Sequence, residues 1–197
     1  MKKLAVNAVA SLLLLGSSHT IYASTSGGYA GIGLGVSNMG NFKDANAIDQ
    51  GGFAGRVLAG YRINDFLSVE ASYAKLNNQR YGLNENPWIT ANYKLSALSV
   101  VGKLYLPINE SAKVNIGFGA AEMFAKLDAT SVYNPTNHYV DSINPLVATI
   151  NFGAEVAITE HWKTTLDLIA YGNKRGEESH MSLPESGLLM LGLIYQI

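Results

Sequence analysis

From Gly28 onward, apolar side chains return at every second position. They do so in eight segments: 29–36, 53–63, 66–76, 93–106, 113–124, 146–158, 162–172 and 187–197. A period of two belongs to a strand, whose side chains alternate between two faces; a helix would repeat at 3.6. In the third segment Leu67, Val69, Ala71 and Tyr73 oppose Ser68, Glu70 and Ser72. In the fourth, Leu98, Val100, Leu104 and Leu106 oppose Ser99, Lys103 and Tyr105. In the last, Leu189, Leu191, Leu193, Tyr195 and Ile197 share one face.

The connections alternate in length. Asn64-Asp65, 107–112 and 159–161 are short, whereas 38–52, 77–92, 125–145 and 173–186 read as long polar loops. Short turns at one end and long loops at the other describe an all-β fold, an eight-stranded antiparallel up-and-down barrel. Two versions of that barrel differ in which face is wet. A soluble barrel carries charge outside, whereas an outer-membrane barrel carries an apolar band outside and polar residues within. Charged residues are only 15% of this chain, against roughly 25% in soluble domains, and hydrophobic residues are 48%. The mid-strand charges Arg56, Arg62, Glu70, Lys103, Glu155 and Asp167 all oppose the aliphatic row. The polar faces are otherwise rich in Gly and Ser and would make a thin soluble core. Tyr61, Phe66, Tyr73, Trp162 and Tyr195 fall near segment ends, where interfacial girdles sit. The faces therefore favour a transmembrane barrel bearing an interior charge network.

The first 23 residues read differently. Lys2 and Lys3 precede an apolar run over 4–15 and a small, polar stretch ending at Ala23. This is the layout of a secretory signal peptide, and the run is too short for a membrane-spanning helix. Cleavage after Ala23 is expected to leave a barrel domain over 24–197, exported from the cytoplasm and mildly acidic. A chain with 14 basic and 15 acidic residues has no surplus with which to hold phosphates, so nucleic acid is not expected as a partner. The absence of cysteine removes disulfides, thiolate zinc sites and iron–sulfur clusters.

Several stretches resemble a known family. The last eleven residues, Gly187-Leu-Leu-Met-Leu-Gly-Leu-Ile-Tyr-Gln-Ile197, resemble the closing strand of bacterial outer-membrane barrels, although that family usually ends in Phe. Gly60-Tyr-Arg-Ile-Asn-Asp-Phe-Leu-Ser-Val-Glu70, Gly102-Lys-Leu-Tyr-Leu-Pro-Ile108 and Phe152-Gly-Ala-Glu-Val-Ala-Ile-Thr159 resemble parts of the transmembrane domain of OmpA and the related opacity-type small barrels. The resemblance implies a location in the outer membrane of a Gram-negative bacterium. Lipids including lipopolysaccharide would be its surroundings, and the barrel assembly machinery would read the last strand. It also implies interior salt bridges that plug the lumen, with Glu70, Lys103 and Glu155 carried over by motif. The family's partner Arg falls at Thr165, so Arg56 and Arg62 are expected to supply replacement charge. The peptidoglycan-binding domain of OmpA is not expected, because this sequence stops at the eighth segment.

The physics of a narrow barrel points the same way. Eight strands leave an interior just wide enough for side chains, and a charge held there is costly unless paired. A filled lumen is therefore expected over a narrow channel for small solutes, which stays the alternative. Catalysis is not expected, nor any cofactor. His138, His161 and His180 lack metal-ligand spacing. His180-Met181-Ser182 resembles the His-x-Ser pair of small lipid A deacylases, but the acid that family carries inside its last strand is missing here. The Gly31, Gly33, Gly35 run lies within a strand and lacks the helix a phosphate loop needs. The long loops, with 77–81 and 133–139 rich in Asn and Tyr, are where a host or surface partner would bind. The overall expectation is a structural envelope protein with an adhesin-like surface.

Overall fold

The computed structural model describes residues 26–39, 45–47, 52–76, 79–83, 86–131, 138–175, 182–183 and 185–197. The expected signal segment, 1–23, lies outside them. Eight long strands form the wall: β1 (Gly27–Met39), β2 (Gly52–Arg62), β3 (Leu67–Lys75), β4 (Asn86–Pro107), β5 (Ala112–Ser131), β6 (Leu146–Ala157), β7 (Trp162–Tyr171) and β8 (Ser186–Gln196). Each pairs antiparallel with the next, and β8 pairs with β1, from Tyr29↔Gln196 to Met39↔Ser186. The sheet is closed, so the eight-strand barrel expected from the alternation is found.

One device makes the three short turns. A polar side chain at the start of each accepts backbone N–H groups just ahead of it. Asn64 Oδ1 accepts from Phe66 (2.9 Å), Asn109 Oδ1 from Ser111 (2.9 Å) and Ala112 (2.7 Å), and Thr159 Oγ1 from Trp162 (3.0 Å).

The opposite end differs from the loops expected there. β4 has 22 residues and β5 has 20, about twice what crosses a membrane. Their shared ladder runs unbroken from Pro107↔Lys113 out to Ile89↔Ser131. Gln79–Leu83 pairs with the far part of β4, Ala45–Ala47 pairs with Gln79–Leu83, and His138–Ile143 pairs with the far part of β5. Much of 77–92 and 125–145 is thus strand rather than loop. It builds a five-stranded sheet that continues one side of the barrel past its rim. Asn77, Asn78 and the run 133–137 lie outside the described residues.

The faces are as the alternation predicts. Ile32, Leu34, Val57, Val100, Leu104, Phe118, Leu168 and Leu191 are exposed on the outer wall. Tyr61, Phe66, Trp162 and Tyr195 ring the turn end, with Phe53 and Tyr73 toward the other. Two outward positions depart from the pattern: Val156 and its register partner Ala112 are both buried.

The lumen is filled in layers. Toward the extended rim it is apolar, packed by Leu76, Leu95, Met123, Val147, Ile169, Leu188 and Met190. This corrects the expectation of an inner face made of Gly, Ser and charge. Further in lie the charged residues. Near the turn end Tyr29 fits against Gly60, its register partner: a Cβ at position 60 would occupy the space taken by the phenol ring. Only glycine permits so close an approach.

Candidate functional site: the interior charge network

Strand parity delivers every charge singled out from the sequence to the lumen. Arg56, Arg62, Glu70, Lys103, Glu155 and Asp167 are all buried. They divide into two groups.

The first group joins four strands. Arg56 on β2 bonds Glu70 on β3 through Nη2, and its Nη1 lies 3.4 Å from Asp167 Oδ2 on β7. Lys103 on β4 donates to Glu70 Oε2 at 2.9 Å and sits 3.7 Å from Asp167 Oδ1. Asn151 Nδ2 and the Tyr29 hydroxyl donate to the same carboxylates, at 3.3 Å to Asp167 and 3.2 Å to Glu70. Two cations and two anions alternate around a ring, so the group is neutral. Neutral donors thus reach both carboxylates, which helps buried charge to be tolerated, while the Arg56 Nε–H has no partner among the described residues.

The second group lies nearer the turns. Arg62 Nη2 holds both oxygens of Glu155, at 2.8 and 3.0 Å. Lys163 Nζ lies 3.4 Å from Glu155 Oε1 and donates to Gln196 Oε1 at 3.0 Å. The Arg62 guanidinium also stacks over the Tyr105 ring, 4.5 Å from its centre, a cation–π contact.

A chain of hydroxyls links the groups. Tyr29, bonded to Glu70, lies 3.3 Å from Ser68 Oγ, and Ser68 lies 3.4 Å from the Tyr105 hydroxyl. With the stacking of Arg62 on Tyr105 as one link, contacts run from Asp167 to Gln196.

Two features escaped the sequence reading. Lys163 belongs to the network; its parity with Asp167 was the available signal. The cation for Glu155 comes from Arg62 and Lys163, whereas Arg56 serves Glu70 and Asp167. Thr165, where the family's Arg would fall, is buried between Glu155 and Gly192 in register.

Of the His180-Met181-Ser182 run, His180 and Met181 lie outside the described residues. Ser182 pairs with Arg175 in a two-residue ladder at the rim, and Glu185 is exposed nearby. Among the described residues no three His, Asp or Glu side chains gather as metal ligands would.

The family model for the outer membrane protein beta-barrel domain matches residues 8–174. The chain belongs to this outer-membrane β-barrel family. The match ends before β8, whose pairing with β7 and β1 closes the wall. Outer membrane protein A of Yersinia pseudotuberculosis is 26% identical over 141 residues, which is 70% of this chain and 38% of that protein. The chain thus spans less than half the length of the curated relative it matches. Among solved structures, Neisserial surface protein A superposes with a TM-score of 0.61 at 19% identity, covering 88% of this barrel and 99% of that one. Ail, the attachment invasion locus protein of Yersinia pestis, was solved with the heparin analogue sucrose octasulfate. It gives 0.53 at 16% identity, over 87% and 99%. Both likenesses are of fold. This outer-membrane barrel thus shares an architecture with several small surface proteins.

Proposed function

We propose that this outer-membrane barrel is a non-catalytic surface protein whose closed lumen makes a rigid base for the five-stranded sheet beyond its rim, and that this sheet carries an adhesin-like contact. One observation carries the reading: the β4–β5 ladder continues from the membrane wall to Ile89↔Ser131 without a break. A contact surface built on paired strands is held more firmly than one built on loops, and a sheet edge offers backbone groups to a partner strand. The filled interior supports a structural role for Arg56, Arg62, Glu70, Lys103, Glu155 and Asp167 over a conducting one. On this reading the signal peptide is removed after Ala23, the assembly machinery engages β8, and lipopolysaccharide surrounds the extended end.

The test has two steps. The chain lacks cysteine, so Asn173→Cys at the extended end and Glu110→Cys in a short turn are each the sole target for a membrane-impermeant maleimide on intact cells. Labelling of position 173 alone is expected. Adhesion of producing cells to a fixed epithelial layer is then compared with that of cells whose variant has the extension replaced by short turns. Adhesion that survives the replacement overturns the proposal.

A further inference from the structure

At the extended end, on the outer wall, the ladder sets two lysines directly opposite each other: Lys94 on β4 pairs with Lys126 on β5. Like charges so placed repel. Lys75 on β3 stands beside them, paired with Ser96, and Ser142 is the register partner of Lys126 on the far side. All three lysines are exposed, and none lies within ion-pair distance of a carboxylate among the described residues. Glu122 and Asp128 are the outward acids nearest along β5, two rows below and one row above Lys126. Between the lysines the surface dips into a depression of about 330 Å³, which Tyr73, Ser96 and Ser142 also line.

Its height on the wall matters. On β4 the outward residues Leu106, Leu104, Val100 and Leu98 are exposed aliphatics, and Ser96 and Lys94 follow at once. The eight residue steps of tilted strand from Leu106 to Leu98 span roughly 20 Å of height, close to the apolar band of such barrels. The depression thus begins where hydrocarbon ends.

We propose that Lys75, Lys94 and Lys126 form a site for the phosphate of an outer-leaflet glycolipid. A phosphate between Lys94 and Lys126 turns a repulsive cross-strand pair into two charge-assisted contacts. Ser96 and Ser142 add hydroxyl donors, and Tyr73 covers the sugar or the first methylenes. Continuity with the aliphatic wall is what selects a lipid over a soluble anion: the acyl chains of a bound molecule lie along Leu98 and Val100 while its headgroup sits in the depression. The site rests on the extended end lying in the outer leaflet, as proposed above.

The probe is bis-phosphorylated lipid A, added to the folded full-length barrel in detergent, with retention read by native mass spectrometry. Binding in detergent does not depend on orientation, so failure here is separable from failure of the labelling test. Lys75→Gln, Lys94→Gln and Lys126→Gln are combined in one variant; the three side chains are exposed, and a gel shift on boiling checks that it folds. Each lysine near a lipid surface contributes about fivefold in affinity, so a loss of roughly a hundredfold is expected. Lipid A stripped of its phosphates is expected to bind as poorly to the original protein. Equal retention by the variant, or by the dephosphorylated lipid, overturns the proposal. Equally tight binding of inorganic phosphate, or of sucrose octasulfate, would make the depression a soluble-anion or sulfated-glycan site, and overturns it too.

Discussion

Lys103 Nζ lies 2.9 Å from Glu70 Oε2 and 3.7 Å from Asp167 Oδ1, so one ammonium ties the carboxylates of β3 and β7 together. Replacing it removes a buried partner from both. Lys103→Met is expected to destabilise the folded barrel by about 3–5 kcal/mol, because uncompensated charge remains in the lumen. Adding Glu70→Gln to the same chain leaves Asp167 with Arg56. The double variant is therefore expected to lose less than the two single losses together. Reversible urea unfolding in lipid bilayers, followed by tryptophan fluorescence, measures all three.

The fit of Tyr29 against Gly60 makes a second prediction. Gly60→Ala places a methyl group where the ring lies and is expected to cost about 1–3 kcal/mol by overpacking. Tyr29→Ala is damaging for a different reason, since it withdraws the hydroxyl that joins Glu70 to Ser68. With the ring already gone, only the Val69 carbonyl oxygen still crowds the methyl at position 60, so the second substitution costs less on top of the first than it does alone. An additive double variant in the same unfolding assay would refute this account.

Trp162 and Tyr195 are register partners at the turn end, with ring centres 5.0 Å apart in an edge-to-face arrangement. A double-mutant cycle with alanine at both positions is expected to return a coupling of about 0.5–1.5 kcal/mol. His161 also approaches Tyr195, at 5.6 Å, and is kept constant in that cycle.

Lumen closure is doubly secured, by the apolar layer and by the charge groups. Planar-bilayer recordings of the unaltered protein are expected to show no steady conductance step. Met123→Ala, or Lys103→Ala, relieves only one layer and is expected to stay closed. Only variants that thin both layers are expected to conduct. A resolved step from the unaltered barrel would restore the narrow-channel alternative.

The wall was legible because one face of each strand meets hydrocarbon, which forces an alternation as plain as Leu67-Ser68-Val69-Glu70. That same parity placed the six charges. The pattern fails where the physical contrast between faces fails. In β8, the inward Leu188 and Met190 alternate with the outward Leu189 and Leu191, so both faces are apolar and the inner layer left no trace in the period. Along 86–93 the sequence Asn-Pro-Trp-Ile-Thr-Ala-Asn-Tyr shows no apolar alternation, and the strand reads as a loop. Lys163 sits one residue from a turn, where a lysine at the rim is as ordinary as one inside. Its role came from Glu155 and Gln196, on the two neighbouring strands.

The seam between β1 and β8 sets the order of events in making this protein. Tyr29 pairs with Gln196, nearly the full length of the chain away. No barrel exists until the last residues arrive, and joining such distant segments is slow. Until then the sheet keeps unpaired edges and aliphatic rows facing water, the features that drive aggregation. Completion of the wall is thus a late event in folding, one that waits on the two ends of the barrel sequence meeting.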